Sequence, residues 1–173
     1  VLLLIFMKPV LQMDRLIEPR SNVVILVDSS KSMGIVEKGA PAAYTALVAK
    51  ATNVDAAQAS KLDRISIAQS ILNNGRSDLL AELKDNYSVQ LYSFDKEVVA
   101  NGVHEEDGAA VMPQVTGEVT QLGAAIRQVA QDFRGQPLAG VVVFTDGVAT
   151  DLEAGLPDLS GLPPVYPVII GKG

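Results

Sequence analysis

Cysteine is absent from the 173-residue chain, and histidine occurs once, as His104. Without thiols there is no disulfide framework, no Cys-type structural zinc site and no cysteine nucleophile, and one imidazole cannot build a multi-histidine metal centre. Any metal held by this chain is therefore held by oxygen. Clusters of lysine and arginine are missing too. The chain has 20 acidic and 14 basic side chains, a net charge of −6, and so lacks the basic stripe needed to neutralise a phosphate backbone; nucleic acid is not an expected partner. The chain has no Gly-x-x-x-x-Gly-Lys-Ser/Thr phosphate loop, no Gly-x-Gly-x-x-Gly after its first apolar strand and no Gly-x-Ser-x-Gly elbow, which argues against dinucleotide and serine-hydrolase chemistry. Internal repeats and low-complexity tracts are also lacking. What is present is an apolar fraction of 48%, in a chain of one domain's length that should bury roughly two-thirds of its extended surface on folding.

The chain starts with Val, and residues 1–7 form an unbroken apolar run ended by Lys8-Pro9. Seven residues are too few to span a bilayer, which takes about 20. Residues 1–8 read as the trailing end of a transmembrane helix that begins outside this sequence, residues 9–21 as a connector, and residues 22–173 as the folded domain. A short buried strand is the plainer alternative for the first segment.

From Asn22 onward, apolar runs alternate with amphipathic stretches. Val23-Val24-Ile25-Leu26-Val27 is the kind of continuous run that is buried on both faces of a parallel sheet, and it ends at Asp28. Residues 64–72 carry Ile65, Ala68, Ile71 and Leu72 at helical spacing, ending at Asn73-Asn74-Gly75, and Ser77 is placed to cap a short helix with Leu79, Leu80 and Leu83 inward. Val89, Leu91 and Ser93 read as a strand, with Val98-Val99 as its hairpin partner across Asp95-Lys96, forming an edge. Leu122, Ile126, Val129 and Phe133 form a helical stripe ending at Gly135. Val141-Val142-Val143-Phe144 is a second buried strand, and residues 165–170 give the last. The order predicts an α/β fold: a doubly wound, mostly parallel sheet with helices on both faces and one antiparallel edge strand. The Ala-rich stretch of about residues 38–61 reads as a helical insertion after the first strand.

In such sheets chemistry collects where parallel strands end. Here the first strand runs into Asp28-Ser29-Ser30-Lys31-Ser32 and a later one into Thr145-Asp146-Gly147, while Thr120 opens the striped helix. Three loops therefore deliver carboxylates and hydroxyls to one edge. An oxygen set rich in hydroxyls suits a hard cation such as Mg²⁺, which prefers six oxygen ligands and keeps several waters. Asp28, Ser30 and Ser32 alternate, so a curling loop can turn all three inward while Ser29 and Lys31 point away; Thr120 and Asp146 can join from the other loops, directly or through water. Little charge would touch the ion, leaving one position open to an outside carboxylate.

These residues resemble the metal-ion-dependent adhesion site of a von Willebrand factor A (vWA) domain. The family's Asp-x-Ser-x-Ser is matched by Asp28, Ser30 and Ser32, its isolated threonine by Thr120, and its Thr-Asp-Gly by Thr145, Asp146 and Gly147. The resemblance covers about residues 22–173. It implies a Rossmann-like sheet, Mg²⁺ (or Mn²⁺) at Asp28, Ser30, Ser32, Thr120 and Asp146, and a non-catalytic module that binds an Asp or Glu carboxylate of a protein partner. The N-terminal segment before the domain is similar to that of bacterial membrane-anchored vWA proteins, which implies a bacterial cell-membrane location with the domain extracytoplasmic. The insertion near residues 38–61 is longer than the usual family connection, and the final Gly171-Lys172-Gly173 falls where relatives commonly add another element.

Each motif also has a plain structural meaning. Asp and Ser favour turns at strand exits, a lone Thr before a helix is commonly its N-cap, and Thr-Asp-Gly is a common turn. Asp151 and Glu153 fit an acidic first helical turn after Thr150, His104-Glu105-Glu106-Asp107 fits a solvated loop, and Tyr44 fits packing. The competing functional class is a Mg²⁺-dependent phosphoryl-transfer or phospho-acceptor domain, which would want a second acid and a strand-end lysine near the nucleophile.

Overall fold

The computed structural model describes residues 20–74, 79–102, 109–151 and 164–171. The apolar N-terminal segment, Ser77 with its expected cap, the stretch His104-Glu105-Glu106-Asp107, Glu153 and the last two residues lie outside these. Among the described residues no helix is long and apolar enough to cross a membrane.

Five strands of the described residues form one sheet in the order β3-β2-β1-β4-β5: β1 is Asn22–Asp28, β2 Ser88–Phe94, β3 Val98–Asn101, β4 Leu138–Thr145 and β5 Val165–Ile169. All neighbours are parallel except the β2–β3 hairpin. The central strand is β1, buried along its whole length, as its β-branched run requires, because both faces are covered. Ile25 and Val27 share one face with Leu91 and Phe144; Val24 and Leu26 share the other with Phe94, Val141 and Val143. Fully burying one such side chain contributes about 1.5–3 kcal/mol.

Among the described residues four helices cover the first face: α1 (Ala42–Thr52), α2 (Ala56–Ala59), α3 (Arg64–Asn74) and α4 (Leu79–Asn86). Their buried side chains include Val48, Ala59, Ile65, Ala68, Leu72 and Leu80. The expected helical insertion is therefore part of the main core. Between α1 and α2, Asn53 takes the left-handed conformation and the Asp55 carboxylate accepts the Gln58 N–H at 2.7 Å. Tyr44 packs against the same cluster. The opposite face is covered by α5 (Leu122–Asp132), through Ala125, Ile126 and Val129, with Phe133 just past its end.

The route from β1 to β2 thus crosses one face and the route from β3 to β4 crosses the other. The two crossovers part between β1 and β4, which opens a crevice at the carboxyl ends of those strands. The far edge is β5. Val141 N–H bonds Pro164 carbonyl and Ile170 N–H bonds Thr145 carbonyl, so even-numbered residues of that segment face the ladder and odd-numbered ones face outward. Pro167 is odd-numbered, and its lack of an N–H costs the sheet nothing there.

Candidate metal centre

The first loop is built from β1 outward. Asp28 is 0% exposed; one of its oxygens accepts the Ser30 N–H at 2.9 Å and the other accepts the Thr145 hydroxyl at 2.9 Å. The turn that begins at Ser30 leads into a short 3₁₀ segment, Lys31–Gly34, which brings the Ser30 and Ser32 hydroxyl oxygens to 2.9 Å. Of the two intervening residues Ser29 turns away as the alternation predicts, whereas Lys31 stays at the mouth of the site. The Ser29 hydroxyl donates to the Phe94 carbonyl at 3.1 Å, and Lys31 reaches outward to Glu118 at 2.8 Å.

The second loop is tied to the first through main chain. Gly117 N–H donates to the Ser29 carbonyl at 3.1 Å and Lys31 N–H to the Gly117 carbonyl at 2.7 Å. Gly117 also lies so close to Asp95 that a Cβ there would stand 2.4 Å from the Asp95 Cβ, a separation no side chain tolerates. Thr120 follows, 4% exposed. As a simple N-cap it would spend its hydroxyl on α5, yet Gln121 occupies the cap position and makes no side-chain cap bond. The Asp151 carboxylate instead accepts the Gly123 and Ala124 N–H groups at 3.2 and 2.9 Å. Asp151 thus caps α5 from a distant loop, where the sequence suggests an acidic first turn of its own helix. Among the described residues the Thr120 hydroxyl is left without a partner, while its carbonyl accepts both the N–H and the hydroxyl of Thr150.

The third loop leaves β4. The Thr145 hydroxyl accepts the Gly147 N–H at 3.2 Å while donating to Asp28, and Gly147 has the positive φ of 85° that the turn requires. Asp146, with a side chain 2% exposed, does not face the cavity: one oxygen accepts the Val148 N–H at 3.0 Å and the other pairs with the Arg64 guanidinium at 2.7 Å.

Ser30, Ser32 and Thr120 open onto one cavity of about 390 Å³, also lined by Lys31, Glu118 and Val148. The five expected site residues are brought together as three hydroxyls in front and two carboxylates behind. Among the described residues Asp28 meets no cation. Burial pushes its carboxyl above the ordinary carboxylate range, the Ser30 and Thr145 hydrogen bonds pull it back, and the negative charge of Asp146 pushes it up again. A hard divalent ion fits this donor set: neutral oxygens to coordinate it, and a buried carboxylate with no counter-charge behind them. Among the described residues no group of three or more His, Cys, Asp or Glu gathers anywhere, this site included.

Two contributors stand outside the expected ligand set, Thr145 within the motif and Arg64 with no signature in it. Thr145 is more than a turn residue, since its hydroxyl orients Asp28. Arg64, at the start of α3, bridges Asp146 and Glu37, contacts 82 and 27 residues apart in sequence. The sequence matches no known family model and no curated protein.

Proposed function

We propose that the chain is a Mg²⁺- or Mn²⁺-dependent protein-recognition module of the vWA type, with a Rossmann-like sheet and an adhesion-type metal site. Ser30, Ser32 and Thr120 would hold the ion, Asp28 and Asp146 would balance its charge from behind, and an Asp or Glu of a protein partner would complete its shell. When bound, the ion supplies a positive centre able to attract that carboxylate. The observation that carries the reading is the convergence of three hydroxyls from two loops on one cavity, backed by a fully buried aspartate that has no cationic partner among the described residues. The strand order, with the cavity at the carboxyl edge beside β1 and β4, supports it further.

The phosphoryl-transfer or phospho-acceptor alternative is less well supported. Asp28 would have to be the nucleophile, but it is fully buried with both oxygens engaged, and Lys31, although it lines the cavity, is paired with Glu118. A non-catalytic role is therefore preferred. The N-terminal apolar segment supports a membrane tether, and the family resemblance an extracytoplasmic face in a bacterial membrane. Calorimetric titration with Mg²⁺ or Mn²⁺ tests the metal site: heat of binding is expected from the native chain and none from Ser30→Ala/Ser32→Ala or Asp28→Ala. Equal heats from all three would end the proposal.

A further inference from the structure

Arg64 is the one basic side chain built into the rear wall of the candidate site among the described residues. Its side chain is 14% exposed. Nη1 donates to Asp146 at 2.7 Å and to the Ser32 carbonyl at 3.2 Å, while Nε and Nη2 both donate to Glu37. Gly171 lies against the guanidinium so closely that a Cβ there would stand 3.2 Å from Nε. Asp146 is thus held from both sides, by Arg64 on one oxygen and by the Val148 N–H on the other.

We propose that Arg64 is a positioning residue that holds Asp146 back from direct coordination, so that the ion is ligated by hydroxyls and keeps its charge for an incoming carboxylate. The inference rests on the metal-site reading above. Its logic is competition for one carboxylate. Asp146 does not line the cavity, so to ligate the ion directly it would have to turn toward it, out of the charge-assisted bond to Arg64 and the bond from the Val148 N–H. A directly bound carboxylate would cancel one of the ion's two positive charges, so metal affinity would rise and attraction for an external anion would fall. The Arg64 contact to the Ser32 carbonyl joins the same guanidinium to the hydroxyl loop, so one side chain fixes both the withheld acid and a ligand-bearing turn.

The test compares the native chain with Arg64→Gln, Arg64→Lys, Asp146→Asn and the Arg64→Gln/Asp146→Asn double variant. Mn²⁺ affinity is read by calorimetry or electron paramagnetic resonance. Acetate is then titrated onto the Mn²⁺-loaded proteins, and folding is checked by circular dichroism. Arg64→Gln is expected to bind Mn²⁺ tighter by on the order of ten-fold and acetate correspondingly more weakly. Arg64→Lys should stay close to native, and in the Asp146→Asn background the Arg64 substitution should no longer tighten Mn²⁺ binding, whatever it costs through the lost bond to the Ser32 carbonyl. A folded Arg64→Gln with native or weaker Mn²⁺ affinity overturns the inference, as does the same shift in the Asp146→Asn background. Should Arg64→Gln fail to fold, the electron paramagnetic resonance spectra of Mn²⁺ on the native chain and on Asp146→Asn decide: affinity falls in either case because a balancing charge is lost, but an unchanged spectrum is expected, and a changed one means that Asp146 ligates directly. Native chain that binds no Mn²⁺ overturns the metal-site reading and this inference together, whereas native binding with an unmoved Arg64→Gln overturns this inference alone.

Discussion

Replacing Thr145 by valine isolates the hydroxyl that orients Asp28. The two side chains have nearly the same volume, and Thr145 is buried at the end of β4, so the change leaves no cavity and removes only polar contacts. The larger loss is the 2.9 Å bond to Asp28; a hydrogen bond to a charged group contributes about 1.5–3 kcal/mol. The 3.2 Å bond from the Gly147 N–H is lost as well, leaving that donor unpaired at a cost of about 1 kcal/mol. Together these amount to roughly 3 kcal/mol, which for a domain of this size is a fall in Tm of about 6–12 °C. Thermal unfolding followed by circular dichroism or calorimetry at pH 7 in EDTA measures it free of any metal contribution. Thr145→Ser restores the hydroxyl and should recover most of the loss. If Thr145→Val melts within about 1 °C of the native chain, the hydroxyl does not support Asp28 and the account of how β1 and β4 meet at this edge is wrong.

Two further outcomes follow from the same geometry. Gly117→Ala places a Cβ against the Asp95 Cβ, which must move main chain rather than a flexible tip; destabilisation of about 1–3 kcal/mol and loss of Mn²⁺ binding are expected from melting and titration, and unchanged binding would show that the two loops move independently. Asp28→Asn probes the buried charge. The folded chain holds the Asp28 proton more tightly than the unfolded chain does, so ionisation costs stability; the cost is full above the raised pKa and vanishes as pH falls below the ordinary value of 3.8. Measured in EDTA, the Tm of Asp28→Asn relative to native should therefore be highest at neutral pH and decline as the solution is acidified toward pH 4. A pH-independent difference contradicts burial as the dominant influence on this carboxyl.

The parts of the fold legible in the sequence are those written in short-range pattern. The run from Val23 to Val27 has no polar interruption because both faces of β1 are covered, and the four-three-four spacing from Leu122 to Phe133 survives intact as the face α5 turns to the sheet. The loop residues were legible for a related reason: alternation in Asp28, Ser30 and Ser32 is local, and so is the pairing of the two serine hydroxyls. What could not be read depends on contacts between distant segments. Nothing near Arg64 announces Asp146, nothing near Gly117 announces the closeness of Asp95, and Asp151 caps a helix that ends well before it in the chain. Each is fixed only when the sheet brings strand ends together, which a local pattern cannot encode.

The outer margin of β5 has a consequence for how copies of this chain meet. Among the described residues nothing pairs with that side of β5; Tyr166 and Ile169 leave apolar surface exposed there, and an open ladder beside such surface invites further strands to dock. Pro167 removes the middle outward-facing donor, with Val165 and Ile169 on either side. A second copy laid alongside would find a rung missing at the centre of the seam. Fibril-like stacking is thereby discouraged by a single imino acid, placed where the monomer itself loses nothing by it.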